Sequence, residues 1–204
     1  IISKRGVWYK IVEENQVAWH AGISFWKEEK NLNDSSIGIE LENQGHGRDY
    51  RPFTNSQLLA LERLIKRIKT EYNLNIIDVI GHSDIAPHRK SDPGELFDWE
   101  RLAKKKLAFW PKMQKQKTNM KFLQIGEKSQ RVREIKRKLK KIGYKCSSNN
   151  TYDLSLKLVV EAFQRRFLPD RINGIIDEKV YARIISVSEN TWLFYKKFNP
   201  IEWR

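Results

Sequence analysis

Residues 36–43 read SIGIELEN, in which Ile37, Ile39 and Leu41 alternate with Gly38, Glu40 and Glu42. Side chains of a strand point to opposite faces with a period of two, so this segment predicts a half-buried strand with both carboxylates turned away from the aliphatics. Nothing after residue 122 keeps that period. There the apolar residues recur at helical spacing: Val132, Ile135, Leu139 and Ile142, then Leu156, Val159, Phe163 and Phe167, then Val180 and Ile184. A chain with its strand signal in one half and its helix signal in the other predicts two units, an α/β domain and a small all-α three-helix module.

Other segments fill in the first unit. Gly6–Val12, GVWYKIV, is rich in β-branched and aromatic residues and ends at the polar turn Glu13-Glu14-Asn15, which predicts another strand. From Thr54 to Tyr72, Leu58, Leu61, Ile65 and Ile68 fall at helical spacing, and Thr54 with Gln57 fits a capping box. Ile76–Ile80, IIDVI, predicts a short buried strand that stops at Gly81-His82. Between Arg101 and Lys121 there are eight basic residues and no acidic one, with Pro111 in the middle. That composition places the domain boundary there. The expected division is a domain over 1–110, a basic linker over 111–121, the helical module over 122–190 and an aromatic, basic tail over 191–204, for which packing back and exposure both stand open.

With 204 residues, 40% of them apolar, a packed core is affordable and wholesale disorder is excluded. No apolar run approaches the ~18–20 residues of a membrane span, so no transmembrane segment is expected. The first residue is Ile1 rather than Met, which predicts a processed or truncated form. Thirty-nine basic against 25 acidic residues give a net charge of +14, which raises nucleic acid as a partner. No RNP-like aromatic pattern or helix-turn-helix signature accompanies the lysines, so no nucleic-acid partner is expected. The single cysteine, Cys146, excludes an internal disulfide and a cysteine metal cluster, and it reads as a small core or surface residue.

The chemistry concentrates in GHSDIAPHRKSDPG, residues 81–94. His82 and Asp92 lie ten residues apart around a loop held by Pro87 and Pro93, so their side chains can converge. A catalytic zinc takes N and O donors of this type, normally three from the protein, with water in the fourth position. An ordinary loop hydrogen bond between the two, with Lys90 solvated, is the competing reading. If the loop is extended there, Lys90 lies on the same side as Asp92, where an ammonium can stabilise an oxyanion. Glu40 and Glu42 share one strand face. Either is placed to take a proton from a metal-bound water, or both simply face solvent. For His20, in AWHAG beside Trp19, three readings stand: metal ligand, substrate contact or packed imidazole. His46 and His88 carry no chemical context of their own.

Taken together and in order, VAWHAGISFW at 17–26, LNDSSIGIELEN at 32–43, the helix after PFTNSQ and GHSDIAPHRKSDPGELFDW at 81–99 resemble the zinc-dependent N-acetylmuramoyl-L-alanine amidases of the AmpD- and AmiD-like group. Their fold is shared with peptidoglycan recognition proteins. The resemblance covers roughly the first 110 residues and implies a mixed β-sheet flanked by helices. It implies that His82 and Asp92 are zinc ligands, Glu40 the catalytic glutamate, Glu42 a structural or substrate-proximal residue and Lys90 the lysine that supports the transition state. Trp19 and His20 correspond to the floor of the substrate groove. The remaining zinc ligand, a histidine on a strand, is expected upstream of Ile1.

More loosely, GEKSQRVREIKRKLKKIGY, TYDLSLKLVVEAFQRRF and NGIIDEKVYARI are similar to the helical peptidoglycan-binding domain. The implied reaction is hydrolysis of the amide between N-acetylmuramic acid, or its anhydro form, and the L-alanine of the stem peptide. The implied cofactor is zinc and the implied partners are peptidoglycan or muropeptide fragments. A non-catalytic peptidoglycan recognition module is the alternative. The helical module favours the cell envelope, periplasmic or wall-associated, over the cytoplasm, and the basic face is expected to attract an anionic wall polymer. No oligomeric state is predicted.

Overall fold

A computed structural model of the chain describes residues 1–113 and 121–198. Two short ladders lie in the first half, and in the second half isolated antiparallel bridges join Leu123 to Ile176 and Lys128 to Thr151. Phe25–Trp26 (β1) and Glu29–Lys30 (β2) pair antiparallel, Phe25 facing Lys30. The other ladder is mixed and centred on Ile2, which bridges Trp8 in the antiparallel sense and Leu41 in the parallel sense. The Ile2 amide donates to the Glu40 carbonyl at 2.7 Å and its carbonyl accepts from the Glu42 amide at 2.9 Å. On the other side the Ser3 amide donates to Val7 O at 2.8 Å and the Tyr9 amide to Ile1 O at 2.8 Å.

The strands expected over Gly6–Val12 and Ser36–Asn43 are thus each reduced to the few residues that face Ile1–Ser3. A ladder runs only as far as its backbone partners, and after Ser3 the chain turns, with the Gly6 amide donating to Ser3 O at 2.8 Å. Gly6 itself lies in the connecting turn at φ +80°, where a Cβ would stand 2.6 Å from Ser56 O, so only glycine fits. The strand expected at Ile76–Ile80 is also corrected, because Ile76–Asp78 form a 3₁₀ turn. Asp78 Oδ2 accepts from the Asn75 amide at 3.0 Å while the Asp78 amide donates to Asn75 O at 3.1 Å. This local side-chain bond gives the backbone an alternative to a ladder.

The helices follow the apolar spacing closely. Asn55–Glu71 (α1) starts at the capping box read from the sequence: Thr54 Oγ1 accepts from the Gln57 amide at 3.2 Å and Gln57 Oε1 from the Thr54 amide at 3.0 Å. Gln57 is buried and its Nε2 also donates to Glu42 O at 2.8 Å, which docks the helix onto the segment carrying Glu40. His82–Ile85 (α2) and Trp99–Lys104 (α3) are short and follow in the first half. Gln130–Ile142 (α4), Leu154–Phe167 (α5) and Glu178–Phe198 (α6) are the three helices expected in the second half. The tail expected from residue 191 is, as far as Phe198, the continuation of α6. Residues 114–120 of the basic linker and 199–204 of the tail lie outside the described residues. No helix among the described residues is long and apolar enough to cross a membrane.

Two apolar cores result. One joins Ile2 to Leu58, Leu61 and Ile65 of α1, with Phe97, Trp99 and Leu102. The other is the core of the helical module, built on Ile135, Leu139, Val159 and Phe163, and it also takes in Trp26, Leu32 and Ile77 from the first half. The two halves of the sequence therefore share a core. Cys146 packs against the edge of that core, and burial pushes its thiol up to about 12. At pH 8 this leaves roughly a thousandfold less thiolate than an ordinary cysteine of pKa ~8.5 holds. Iodoacetamide is expected to leave Cys146 of the native chain unmodified over a time in which the urea-unfolded chain reacts completely, as read by intact mass.

Candidate active site

The loop after Ile80 brings His82 and Asp92 together. Gly81 caps α2, so His82 is its first residue, and the Ser83 amide donates to Asp92 O at 2.8 Å, which draws the far end of the loop back onto the helix. His82 Nδ1 then lies 3.0 Å from Asp92 Oδ2, and Nε2 lies 3.2 Å from Ala21 O. A carbonyl only accepts, so Nε2 carries the proton and donates it to Ala21. That leaves Nδ1 facing a carboxylate oxygen. A second proton or a cation must stand between them.

Donor chemistry and spacing both suit a metal. Two donors 3.0 Å apart are close to the ~3.3 Å edge of a tetrahedron with ~2.0 Å bonds, and an imidazole whose other nitrogen bonds a carbonyl is the usual oriented ligand. Among the described residues, no cluster of three or more His, Cys, Asp or Glu side chains forms. Burial acts to raise the Asp92 carboxyl, but the hydrogen bond and charge of His82, with the charge of Lys90, together hold it below the usual value. Lys90 thus stands close enough to Asp92 to act on it electrostatically.

The Asp92 loop is also clamped by His46 and Tyr50, to which the sequence alone assigns no role. His46 Nε2 meets Glu95 Oε2 at 2.8 Å, its Nδ1 meets Ser91 Oγ at 3.1 Å, and its ring packs on Tyr50 at 4.6 Å. Tyr50 donates to Pro93 O at 3.2 Å and accepts from the Leu96 amide at 3.3 Å. Gly94, at φ +82°, admits the Tyr50 hydroxyl where a Cβ would lie 2.1 Å from it. The i, i+4 spacing of His46 and Tyr50 was the available signal, yet both lie in an irregular loop where that spacing carries no meaning.

Glu40 and Glu42 part company. Ile39 and Leu41 pack against the α1 core, so Glu40 lies on the exposed face, as the alternation predicts. It makes no hydrogen bond or ion pair to His82 or Asp92 among the described residues. Glu42 Oε2 accepts from the Lys4 amide at 2.9 Å and ties down the turn before Gly6. The Glu40 segment reaches the His82 loop through residues 18–22. His20 bonds Ala18 O through Nδ1 at 2.9 Å and Ser36 Oγ through Nε2 at 2.8 Å, its ring lies against Gly38, and Ala21 O receives His82. Arg89 fixes the same loop by donating to Ala21 O and to Ile23 O.

Both ring nitrogens of His20 are therefore engaged within the scaffold, whereas Trp19 beside it is 88% exposed. A Cβ on Gly38 would lie 2.6 Å from the His20 ring, so Gly38→Ala is expected to displace the ring and break its bond to Ser36. Overpacking of this kind costs about 1–3 kcal/mol. Chemical denaturation and the imidazole NMR signals of His20 would check this.

The family described as N-acetylmuramoyl-L-alanine amidase matches residues 1–95, and a peptidoglycan binding domain matches residues 128–184. N-acetylmuramoyl-L-alanine amidase AmiD of Escherichia coli is 36% identical over 188 residues, spanning 88% of this chain and 66% of that protein. 1,6-anhydro-N-acetylmuramyl-L-alanine amidase AmpD of Haemophilus influenzae is 42% identical over 102 residues, 50% of this chain and 53% of that one. The chain therefore spans between about half and two thirds of the curated relatives it matches. Among solved structures, E. coli AmiD in complex with the substrate anhydro-N-acetylmuramic acid-L-Ala-D-γ-Glu-L-Lys superposes with a TM-score of 0.76 at 33% identity, over 89% of this chain and 72% of that one. AmpDh3 of Pseudomonas aeruginosa gives 0.73 at 28% identity over the same shares.

Proposed function

This chain belongs to the N-acetylmuramoyl-L-alanine amidase family, and from that premise we propose that it hydrolyses the amide between the lactyl group of N-acetylmuramic acid, or its anhydro form, and L-alanine of the stem peptide. The observation that carries the proposal is the His82 Nδ1 to Asp92 Oδ2 approach of 3.0 Å, with Nε2 turned to Ala21 O. His82 and Asp92 would hold zinc. When bound, zinc supplies a water with pKa lowered to ~7 and a Lewis acid for the substrate carbonyl.

The chain's own groups do the rest. His82 is oriented by Ala21 O, which is itself held by Arg89. The Glu40 carboxylate accepts a proton from the attacking water and returns it to the leaving amine, and the Lys90 ammonium steadies the oxyanion that develops on the scissile carbonyl. Trp19 offers an exposed indole face to the sugar or stem peptide, and His20 shapes the loop beneath it. The helical module would hold the enzyme on polymeric wall, which supports a cell-envelope location over a cytoplasmic one.

Zinc content by mass spectrometry and release of free stem peptide from anhydro-muropeptides and from sacculi test this reading. Near one zinc per chain with peptide release is expected. A metal-free protein that sediments with sacculi and releases nothing would overturn it in favour of the non-catalytic recognition module.

A further inference from the structure

We propose that Arg166 and Tyr144 of the helical module position His82 through Asp84, so that this module is a working part of the metal site as well as its attachment to the wall. The clamp rests on the assignment of His82 as a metal ligand. Asp84 lies on α2, one residue beyond Ser83, and is 1% exposed. Its Oδ2 accepts from the Gly81 amide at 2.9 Å and from Arg166 Nη1 at 2.8 Å, and its Oδ1 accepts from the Tyr144 hydroxyl at 2.5 Å. Arg166 Nη2 donates to Val79 O at 3.0 Å. His82 is thus bracketed: the backbone before it is bonded at Val79 and Gly81, and the helix after it at Asp84, with both outside donors coming from the second half of the chain.

The clamp is built for rigidity. Arg166 is 4% exposed, its guanidinium stacks 4.4 Å from the Trp99 ring, and Tyr144 is fully buried against Trp26 at 5.1 Å. Gly81 lies between the clamp and the metal loop: a Cβ there would meet Pro93, next to Asp92, at 2.9 Å and Trp99 at 3.3 Å. A displacement of α2 therefore reaches both His82 and Asp92. Burying an ion pair is a poor route to stability, because desolvation offsets the attraction, and Arg166 Nε has no hydrogen-bond partner among the described residues. What such a network supplies is one fixed geometry. Outer groups that orient a metal ligand commonly change metal affinity 10–100-fold when removed.

The test uses the full chain carrying Arg166→Gln with Asp84→Asn, which removes both charges together, Arg166→Lys, which keeps the charge, and Tyr144→Phe, which removes one hydrogen bond only. In metal-free protein, amide hydrogen exchange over residues 83–86 is expected to quicken at least ~10-fold in the paired variant while the middle of α1 is unchanged. Zinc affinity by chelator competition is expected to fall ~10–100-fold, the absorption bands of the cobalt-substituted site are expected to shift, and Arg166→Lys is expected to recover part of the loss. A paired variant that melts like the parent with unaltered exchange and zinc affinity would overturn the clamp. Should the paired variant not fold, Tyr144→Phe decides by the same readouts. A parent chain that binds no zinc sinks the amidase reading instead, and the exchange measurement still judges the clamp.

Discussion

Glu40→Gln is expected to leave zinc content and melting temperature at parent values and to lower turnover of anhydro-muropeptide by about 10²–10⁴-fold, the usual worth of a positioned general base. The fold should not notice the change. Glu40 is held in its ladder by its backbone carbonyl, bonded to the Ile2 amide at 2.7 Å, while Ile39 and Leu41 on either side face the core. Its side chain is exposed and is free to act on water. Asp92→Ala provides the contrast: it removes one of the two converging donors and is expected to lose the metal, with activity following. Metal analysis and steady-state rates on the two purified variants separate the roles. A Glu40→Gln protein of full activity would remove Glu40 from the mechanism.

The largest stability effect is expected at Phe163. Its ring is fully buried, 4.9 Å from Phe167 and 6.4 Å from Tyr144. Truncation to alanine costs about 3–5 kcal/mol, which for a chain of this size is a drop of roughly 6–20 °C in Tm. The pattern of the transition tells more than its size. Trp26, Leu32 and Ile77 belong to the same core as Phe163, and Gly143 at the end of α4 lies so close to Trp26 that a Cβ would stand 2.5 Å from its ring. Scanning calorimetry of Phe163→Ala is therefore expected to show one transition, shifted as a whole. Two transitions, with that of the first half unmoved, would mean that the halves fold independently.

These expectations show how far the sequence reaches. The helices were legible because a helix closes its hydrogen bonds within four residues, so the record of α1, α4, α5 and α6 lies in local spacing. The Thr54–Gln57 capping box is of the same kind. His82 and Asp92 were legible as a pair because a short loop with two prolines joins them, and the ordered motifs gave the family. The strands are shorter than the alternation predicts, since a ladder depends on a partner that spacing does not reveal, and at Asn75–Asp78 a local side-chain bond forms instead.

Tertiary structure alone decided how the site is held. His46 meets Glu95 across 49 residues of sequence, and Arg166 meets Asp84 across 82. No period or motif links such pairs, because a charged side chain signals only that it can find a partner. The sequence determined which groups are available for the chemistry and which local elements carry them. The folded chain determined which loop each group grips, because burial forces every buried charge to a specific partner and only the packing of the two halves chooses it.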